Sequence, residues 1–496
     1  MTGLNVLAAA SEIYPLVKTG GLADVVGALP AALAPHGIAV RTLAPGYPAV
    51  LKALEGGKAV HRYESLFGGA ASLLAGRANG IELFALDAPH LYARPGNPYL
   101  GSDGKDWPDN ARRFAAFATV AADVCRGAVP EFRPDILHVH DWQAALAPAY
   151  LKFGKPCAVK SVITIHNLAF QGTFPAAVFD ELKLPPKAYA IDGVEYYGGV
   201  SYLKGGLQFA DAITTVSPTY AREICTPEGG MGLDGLLRMR RAALKGIVNG
   251  IDTAVWDPAT DAQVAATYDA RRLTRRATNK RAIERRFALA PSDGLLYCIV
   301  SRLTGQKGMD LVIESIDPLL QTGARLALLG SGDKALEGAF SAVAKRHPGR
   351  IGVVFGYDEA LSHLLQAGAD AILIPSRFEP CGLTQLYGLR YGCIPVVSRV
   401  GGLADTIIDA NDAALSAGVA SGIQFSPVDQ PSLESALMRA AGLFGDQKAW
   451  REMQRRGMRA DVSWQRSAGQ YAALFRDLCA ERAAPDAVDE KQRVSR

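Results

Sequence analysis

"VKTGGLADVV" spans residues 17–26 and "SRVGGLADTI" spans residues 398–407, so the pentapeptide GGLAD occurs near both ends of the chain. Each copy follows an apolar run typical of a β-strand and begins a pattern typical of a helix. Paired glycines let the backbone turn sharply, and the N–H groups at a helix start favour an anion. Two interpretations stay open: a matched pair of anion sites, or a chance recurrence in a Gly/Ala-rich chain.

Short apolar runs alternate with longer helical patterns along the whole chain. The runs that we predict to be strands are LNVLAAAS, IAVRTLAP, DILHVH, SVITIH and DAITTVS in the first half, and LLYCIVS, RLALLGS, IGVVFG, DAILIPS and CIPVVS in the second. Strands separated by helices predict βαβ units and parallel sheets. These strands are too many for one ordinary doubly wound sheet, so the sequence predicts an α/β protein with two such domains.

Composition and charge exclude several classes of protein. Hydrophobic residues make up 49% of the 496 residues, too many for a disordered chain. The net charge of +4 lacks the clustered basic excess of a nucleic-acid-binding protein. No run approaches the ~18 apolar residues of a membrane helix, and Ser11 and Glu12 interrupt the N-terminal run, which favours a strand over a signal peptide. Seven cysteines without CxxC or zinc spacing predict a reduced, cytoplasmic protein.

A domain boundary is predicted at "GIVNGIDTAVWDP", residues 246–258, where Gly, Asn, Asp and Pro interrupt the pattern. The predicted domains are residues 1–246 and 247–463, followed by an amphipathic helix at residues 464–482 and a flexible tail at residues 483–496. The basic stretch "RRLTRRATNKRAIERRF", residues 271–287, is predicted to be a helix whose charged face lies in solvent.

Charged and polar side chains follow several predicted strands, at the edge where open parallel sheets bind ligands. They are Lys18, Asp141, His166 and Asn167 in the first domain, and Arg302, Lys307 and Glu379 in the second. Lysine and arginine can hold a diphosphate and stabilise the charge that grows on it as it leaves. The N–H groups near Gly382, Leu383 and Thr384 can assist. Each cation alone is commonly an ordinary surface residue, but the set predicts a phosphorylated substrate bound between two facing domains.

Three other patterns compete with this interpretation. "GSGDKA", residues 330–335, fits the G-x-G-x-x-A pattern of a dinucleotide-binding fold but lies mid-chain. His138 and His140 lie on one face of a predicted strand, and without a third ligand at suitable spacing we interpret them as packed side chains. Cys381 has no paired base in the sequence and is interpreted as part of a pocket wall. No Asp-x-Asp occurs, so the usual signature of a metal-held sugar nucleotide is missing.

Seven motifs together resemble one known family. They are KTGGLADV, RPGNPY, HVHDWQAALAPAYL, TIHNLAFQG, VNGID, VSRLTGQKGMDLV and PSRFEPCGLTQLYGLRYG, and they occur in order along nearly the whole chain. They resemble those of bacterial glycogen synthases, which are similar to plant starch synthases. The resemblance implies the GT-B fold: two Rossmann-like, doubly wound parallel-sheet domains with an interdomain cleft, and a final helix that crosses back onto the first domain.

The resemblance also implies an activity. Glucose would be transferred from ADP-glucose to the non-reducing 4-hydroxyl end of an α-1,4-glucan such as glycogen, with retention of configuration and release of ADP. It implies no metal and no cofactor, an acceptor-side first domain and a donor-side second domain, and neither a nucleic-acid nor a membrane partner. The alternatives are another retaining GT-B transferase that uses UDP-glucose, an NAD-dependent oxidoreductase, and a non-catalytic glucan-binding protein.

The same resemblance implies roles for individual residues. His166 would bond the glucosyl unit near the reacting carbon, Arg302 and Lys307 would neutralise the departing diphosphate, and Glu379 would hold the glucose. The remaining predicted substrate contacts are Lys18, Gly20, Gly21, Asp24, Tyr99, Asp141, Asn167, Asn249, Tyr357 (against the adenine), Cys381, Gly382, Leu383 and Thr384. Some family members read HDWH where this chain has Gln143 as the last residue, a difference that concerns the acceptor glucan.

Overall fold

The chain forms two compact units in the computed structural model, which describes residues 3–483. One unit contains residues 3–216, 221–247 and 464–483, and the other contains Ser217–Tyr220 and Val248–Ser463. The chain therefore leaves its first unit twice and returns to it twice. From residue 484 onward, the predicted flexible tail lies outside the described residues.

The first unit is built on a mixed sheet with β1 in its middle. Its strands are β1 (Leu4–Ala9), β2 (Ile38–Pro45), β3 (Glu55–Leu66), β4 (Gly69–Ala78), β5 (Ile81–Asp87), β6 (Ile136–His140), β7 (Lys160–Ile165), β8 (Thr173–Pro175), β9 (Glu195–Tyr196), β10 (Gly199–Ser201), β11 (Ala212–Thr215) and β12 (Leu244–Gly246). Among the described residues, the main sheet has the order β12-β11-β7-β6-β1-β2-β5-β4-β3, and β8, β10 and β9 form a small antiparallel sheet. Strand β1 pairs in parallel with β2 and with β6, so the strand order reverses beside it.

One edge of this sheet differs from the prediction of parallel strands. Strand β4 pairs antiparallel with both β3 and β5. The connection between β3 and β4 is a tight turn at Phe67 and Gly68, both at positive φ, and parallel strands need a much longer crossover. Strand β3 is largely exposed, so it lacks the continuous apolar run by which buried parallel strands are recognised.

Helices cover the first sheet, and α1 shows why they form. The helices before the second unit are α1 (Gly21–Leu33), α2 (Pro48–Ala53), α3 (Pro89–Tyr92), α4 (Asn110–Cys125), α5 (Asp141–Ala144), α6 (Leu146–Phe153), α7 (Tyr202–Phe209), α8 (Pro218–Glu223) and α9 (Asp234–Met239). Short 3-10 segments occur at Ala34–His36, Ala176–Glu181, Pro186–Ala188 and Arg241–Ala243. Helix α1 buries Leu22, Val25, Val26, Leu29 and Leu33 at helical spacing. Pro30 lies inside α1 without ending it.

The second unit is a doubly wound parallel sheet. Its strands are β13 (Leu296–Leu303), β14 (Arg325–Gly332), β15 (Ile351–Phe355), β16 (Ala371–Ile374), β17 (Ile394–Ser398) and β18 (Ile423–Phe425). In the described chain their order is β15-β14-β13-β16-β17-β18, and every neighbouring pair is parallel. The order reverses between β13 and β16, and ligands bind beyond the carboxyl ends of strands at such a point.

The basic stretch of the second unit is less exposed than predicted. The helices of this unit are α10 (Arg276–Arg286), α11 (Met309–Glu314), α12 (Ile316–Gln321), α13 (Lys334–Arg346), α14 (Glu359–Gly368), α15 (Thr384–Tyr391), α16 (Gly401–Thr406), α17 (Asp412–Ser416), α18 (Gln430–Gly445) and α19 (Gln447–Arg459), with 3-10 segments at Leu273–Arg275 and Gly305–Lys307. In α10, Arg276 is buried, and its guanidinium donates to backbone carbonyls that include that of Tyr391. Lys280 pairs with Asp370 at 2.7 Å in a buried salt bridge. The expected solvated face is therefore wrong for the inner side of α10.

The last helix, α20 (Gln465–Ala483), belongs to the first unit. Its residues Tyr471 and Phe475 are fully buried in one core with Val25, Leu29 and Ile136. A helix far along the sequence thus completes the core beneath α1 and the central strands. Across residues 3–483, no helix combines the length and the apolar character needed to cross a membrane.

Candidate functional site

Lys18 and the first GGLAD lie just beyond the end of β1. Gly20 is the N-cap of α1 in an extended conformation, with φ −160°, and the helix begins at Gly21. A Cβ added at Gly20 would meet no atom within 4 Å, so the backbone here faces open space. The Lys18 ammonium pairs with Asp24 Oδ1 at 2.8 Å and lies 5.1 Å from the centre of the Tyr14 ring. Lys18, Gly20, Gly21 and Asp24 thus come together around one accessible helix start.

Glu12 anchors this loop, and it was not among the predicted site residues. Its carboxylate accepts hydrogen bonds from the backbone N–H of Thr19 at 2.5 Å and from the Thr19 hydroxyl at 2.6 Å. The Tyr99 hydroxyl donates to the same carboxylate at 2.6 Å, which joins the predicted residue Tyr99 to the Lys18 loop. The signal in the sequence was a charged residue directly after an apolar strand, the same rule that selected Lys18.

Asp141, His166 and Asn167 come together where β6 and β7 end. Asp141 has a φ of +53°, and its Oδ1 accepts a hydrogen bond from the backbone N–H of His166 at 2.7 Å. Nε2 of His166 lies 3.0 Å from Nδ1 of His140. Oδ1 of Asn167 accepts from the backbone N–H of Ala169 at 3.0 Å, which shapes the turn after β7. The imidazole of His166 is therefore held by a second, buried histidine.

Burial determines the charge of this group. It lowers the pKa of His166 to about 3. Burial and, to a smaller extent, electrostatic coupling to His166 also lower the pKa of His138 to about 3, so both imidazoles are neutral near pH 7. Burial also raises the pKa of Asp141 to about 7, against the hydrogen bonds from the N–H groups of His166 and Asn167. Nε2 of His138 lies 2.6 Å from the Thr164 hydroxyl inside the sheet. In the part of the chain that the structure describes, no cluster of three His, Cys, Asp or Glu side chains is placed to hold a metal ion.

Lys307 and Glu379 form a pair in the second unit. Lys307 ends the 3-10 turn after β13, and Glu379 lies in the loop after β16. Nζ of Lys307 donates to Glu379 Oε2 at 2.5 Å, and the Ser376 hydroxyl donates to the same oxygen at 2.9 Å. Both charged side chains are largely buried, with 17% and 9% of their surface exposed. The switch point of the second sheet therefore holds a rigid ammonium–carboxylate pair.

Arg302 lies near this pair in sequence but is differently placed. It is exposed near the end of β13, and within the described residues its guanidinium makes no ion pair or side-chain hydrogen bond. Arg377, in contrast, forms a two-pronged salt bridge with Asp310 and donates to the carbonyl of Gly305 at 2.6 Å. Arg377 therefore ties the two loops together, whereas Arg302 is available to an anionic ligand.

The second GGLAD has a packing function that the first lacks. Gly401 has a φ of +41°, and a Cβ there would lie 2.0 Å from the carbonyl oxygen of Glu379. A Cβ at Gly402 would lie 2.2 Å from the carbonyl oxygen of Cys381, and the N–H of Gly402 donates to the Glu379 carbonyl at 3.0 Å. Asp405 accepts hydrogen bonds from Ser217 and Thr219. The two copies therefore differ in local role, because the glycines of the second copy hold the Glu379 loop.

The segment from Cys381 to Thr384 forms the turn into α15. Gly382 has a φ of +73°, and Leu383 and Thr384 are the N-cap and first residue of the helix. Burial raises the pKa of the Cys381 thiol to about 12, against a hydrogen bond from the backbone N–H of Asn249. A thiol that stays protonated is a poor nucleophile, which agrees with a pocket wall. Oδ1 of Asn249 is buried and has no hydrogen-bond partner among the described residues.

Tyr357 and the GSGDKA segment lie at the ends of β15 and β14. The Tyr357 side chain is 76% exposed, and its hydroxyl bonds to Glu359. In GSGDKA, the carboxylate of Asp333 caps α13 and accepts from the N–H groups of Ala335 and Leu336. A Cβ at Gly330 would lie 2.0 Å from the carbonyl oxygen of Ser301 on β13. This helix start is therefore filled by a carboxylate, and its glycine serves strand contact, so the segment is not a dinucleotide site.

Two family models match the chain. The starch synthase catalytic domain model matches residues 5–239, and the glycosyl transferases group 1 model matches residues 280–436. Glycogen synthase of Rhodopseudomonas palustris (strain BisA53) is 59% identical over 97% of this chain and 99% of its own. Glycogen synthase 1 of Rhizobium meliloti is 59% identical over 96% and 100%, and glycogen synthase of Novosphingobium aromaticivorans is 60% identical over 96% and 99%.

Solved structures show the same architecture. The catalytic domain of starch synthase IV from Arabidopsis thaliana, bound to ADP and acarbose, matches with a TM-score of 0.87 and 32% identity over 96% of this chain and 100% of that one. Sucrose-phosphate synthase from Thermosynechococcus elongatus matches with a TM-score of 0.58 at 16% identity over 96% and 100%, which shows the fold alone. The predicted GT-B fold is confirmed, with a mixed sheet in the first domain and a parallel sheet in the second.

Proposed function

This chain belongs to the glycogen and starch synthase family of glycosyltransferases, and on that premise we propose that it transfers glucose from ADP-glucose to the non-reducing 4-hydroxyl end of an α-1,4-glucan. Configuration at the glucosyl carbon is retained and ADP is released. We assign the acceptor side to the first unit and the donor side to the second, and we propose that Lys18 of the first GGLAD loop also contacts the donor diphosphate. The protein works in the cytoplasm, in keeping with cysteines that are all free, and its acceptor is glycogen.

The arrangement around Lys307 and Arg302 carries this proposal. Lys307 is fixed by Glu379 at the switch point of the second sheet, while Arg302 is exposed near the end of β13 without a counter-ion in the described chain. Two cations at such a point suit a diphosphate, because they stabilise the negative charge that grows on it as the bond to the sugar breaks. Glu379 brings a carboxylate to the same place, where it can accept hydrogen bonds from sugar hydroxyls.

The reaction balances without any further group. The bond between the glucosyl carbon and the diphosphate oxygen breaks, and its electron pair leaves with ADP. The 4-hydroxyl oxygen of the glucan bonds to the same carbon on the same face, and its proton goes to the departing phosphate. Arg302 and Lys307 stabilise the ADP, while the N–H groups near Gly382, Leu383 and Thr384 bind the donor.

His166 acts in this scheme as a neutral group. Because burial lowers its pKa to about 3, it carries no charge that could pair with the phosphates or act as an acid near pH 7. Its hydrogen bond with His140 fixes the ring, so the imidazole and the backbone beside it can orient a sugar hydroxyl. Asp141 and Asn167 lie in the same turn and complete the sugar-binding side of the first unit.

ADP is the nucleotide we propose. The starch synthase IV domain was solved with ADP, and Tyr357 offers an exposed ring at the end of β15 against which a base can stack. The test compares ADP-glucose with UDP-glucose at equal concentration, with glycogen as acceptor, and follows both nucleotide release and incorporation of labelled glucose. We expect rapid transfer from ADP-glucose. Faster transfer from UDP-glucose would overturn the donor assignment, and no transfer from either would overturn the activity.

Metal independence is a separate part of the proposal. Lysine and arginine at the strand ends supply the positive charge that a divalent ion supplies in other transferases. We expect transfer to survive exhaustive treatment with a chelator, measured with and without added magnesium. Loss of transfer that magnesium restores would contradict this.

A further inference from the structure

Glu12 is a buried carboxylate that is stabilised by neutral hydrogen-bond donors and not by a cation of the described chain. It is 3% exposed, and within the described residues no lysine, arginine or histidine forms an ion pair with it. Its two carboxylate oxygens instead accept four hydrogen bonds. The donors are the N–H and the hydroxyl of Thr19, the N–H of Gly20 at 3.3 Å and the hydroxyl of Tyr99. An ionised carboxylate is an acceptor with about four lone-pair sites, so this set of donors matches it.

The donors come from two distant parts of the first unit. Thr19 and Gly20 directly follow Lys18, whereas Tyr99 lies between β5 and α4 and reaches Glu12 across 87 positions of sequence. The single proton of the Tyr99 hydroxyl is donated to the Glu12 carboxylate, so the Ser11 hydroxyl, 2.7 Å away, must donate to Tyr99. The hydrogen bonds therefore run in one direction, from Ser11 through Tyr99 to Glu12. Burial and the charge of Glu12 raise the pKa of Tyr99, so its hydroxyl stays a donor.

The bonds to Glu12 determine which face of the loop is open. They draw the amides of Thr19 and Gly20 inward, while the position of a Cβ on Gly20 has no neighbour within 4 Å. The helix start at Gly21 and the ammonium of Lys18 therefore stay beside an open surface instead of collapsing onto it. A carboxylate beside an anion site weakens anion binding, because its negative charge repels a phosphate. We therefore expect Glu12 to offset this cost by fixing the conformation of the loop.

We infer that Glu12 is a positioning residue that holds the Lys18–Gly21 loop in the conformation that binds the nucleotide diphosphate of the donor. The inference rests on the proposed function, since it takes the first GGLAD loop to contact the donor. Glu12 touches no substrate in this scheme and acts through Thr19, Gly20 and Tyr99.

The test uses Glu12→Gln in the full-length protein. The variant keeps the size of the side chain but turns an NH₂ group toward N–H donors, so the loop loses its anchor. We expect the Kd for ADP, measured by calorimetry, and the KM for ADP-glucose to rise about ten- to hundredfold, while the KM for glycogen changes less than about twofold. In the protein without ligand, the amides of Thr19 and Gly20 should exchange with deuterium at least about tenfold faster.

Asp211→Asn is the matched control. Asp211 accepts from the N–H and the hydroxyl of Ser161 at 2.8 Å and 2.9 Å, as Glu12 does from Thr19, and it also pairs with Lys160 at 3.1 Å, in the same unit but away from the Lys18 loop. We expect this variant to leave ADP binding and exchange at Thr19 as in the wild type. Equal effects in Glu12→Gln and Asp211→Asn would overturn the inference, because they would mean a general loss of structure. Tighter ADP binding in Glu12→Gln would also overturn it, because charge repulsion would then dominate.

A second pair of variants covers the case in which Glu12→Gln does not fold. Thr19→Val removes one hydroxyl donor to Glu12, and Thr19→Ser restores it. The inference expects a raised KM for ADP-glucose in Thr19→Val and a nearly normal value in Thr19→Ser, and equal values in the two would contradict it. Wild-type protein that binds no ADP and transfers no glucose would overturn the proposed function itself, and the inference with it. If the wild type is active but the variants keep the wild-type KM for ADP-glucose, ADP binding and amide exchange at Thr19 and Gly20, the inference is overturned and the proposed function stands.

Discussion

Arg302 is an exposed cation near the end of β13, and it has no counter-ion in the described chain. Arg302→Ala is expected to lower kcat by about 10²–10³, since losing one preorganised charge on a leaving group costs ~3–4 kcal/mol. Lys334→Ala is the control, because Lys334 is exposed and pairs with Glu337 on the surface. Steady-state kinetics and thermal melting separate the outcomes. Normal turnover in Arg302→Ala would remove this residue from the mechanism.

His138 gives a prediction about pH at the same scale. Burial and, to a smaller extent, electrostatic coupling to His166 lower its pKa from 6.5 to about 3, so between these values the unfolded chain binds a proton that the folded chain does not. The contribution to stability is full above pH 6.5 and decreases as the pH falls towards 3. On lowering the pH from about 7.5 to about 5, wild type should lose roughly 2 kcal/mol more than His138→Gln, which stays uncharged. Urea unfolding at both pH values measures this, and parallel losses would contradict it.

At the scale of elements, the two GGLAD loops share a sequence and differ in packing. Gly401→Ala places a Cβ against the Glu379 carbonyl at positive φ, so we expect a loss of about 1–3 kcal/mol of stability together with loss of transfer. Gly20→Ala meets no atom and has an extended φ, so its stability should fall by less than about 1 kcal/mol. Under the proposed function its KM for ADP-glucose should still rise, because the methyl group would enter the space in which we propose that the donor binds. Urea unfolding and kinetics on both variants test the contrast, and equal loss of stability would refute it.

Most strands that alternate with helices could be predicted, whereas the antiparallel edge of the first sheet could not. Strand β2 was predicted at residues 38–45 and occurs there, and the runs before Lys18, Asp141 and His166 are strands β1, β6 and β7. Strands β3, β4 and β5 were missed. Strand β3 is largely exposed, whereas β4 and β5 contain buried apolar residues but follow each other without a helix between them, so the strand–helix alternation that guided the prediction does not apply there. Arg276 was taken for a surface charge because the carbonyls that bury it lie in α14 and α15 and in the turns after them, far away in sequence.

The candidate site could be predicted from strand ends and less well from contacts. Lys307 and Glu379 were named separately, but their 2.5 Å pair depends on how two loops fold against each other. Glu12 was missed because its donors, Thr19 and Tyr99, are recognised as partners once the loop is folded. The different tasks of Gly20 and Gly401 likewise follow from which backbone lies opposite them, which a repeated pentapeptide does not encode.

At the scale of the whole molecule, α20 links the last part of the chain to the core of the first unit. Phe475 is fully buried there with Tyr471 and Leu29. Phe475→Ala is expected to cost about 3–5 kcal/mol of stability, as for other large-to-small changes in a core. Asp477→Ala, on the exposed side of the same helix, is the control and should change stability by less than about 0.5 kcal/mol. Equal melting temperatures for the two variants would mean that α20 does not contribute to this core.

The return of the chain to its first unit has a consequence for biosynthesis. Every residue of the second unit is made before Trp464, whereas the first unit lacks α20 until residues 465–483 have also been made. At about 5–20 residues per second, the segment Val248–Ser463 of the second unit takes roughly 10–40 seconds to translate. During that time the apolar surface that awaits Phe475 is uncovered on a nascent chain. The unit that is begun second is thus the one that can finish folding first, while the core beneath α1 stays incomplete.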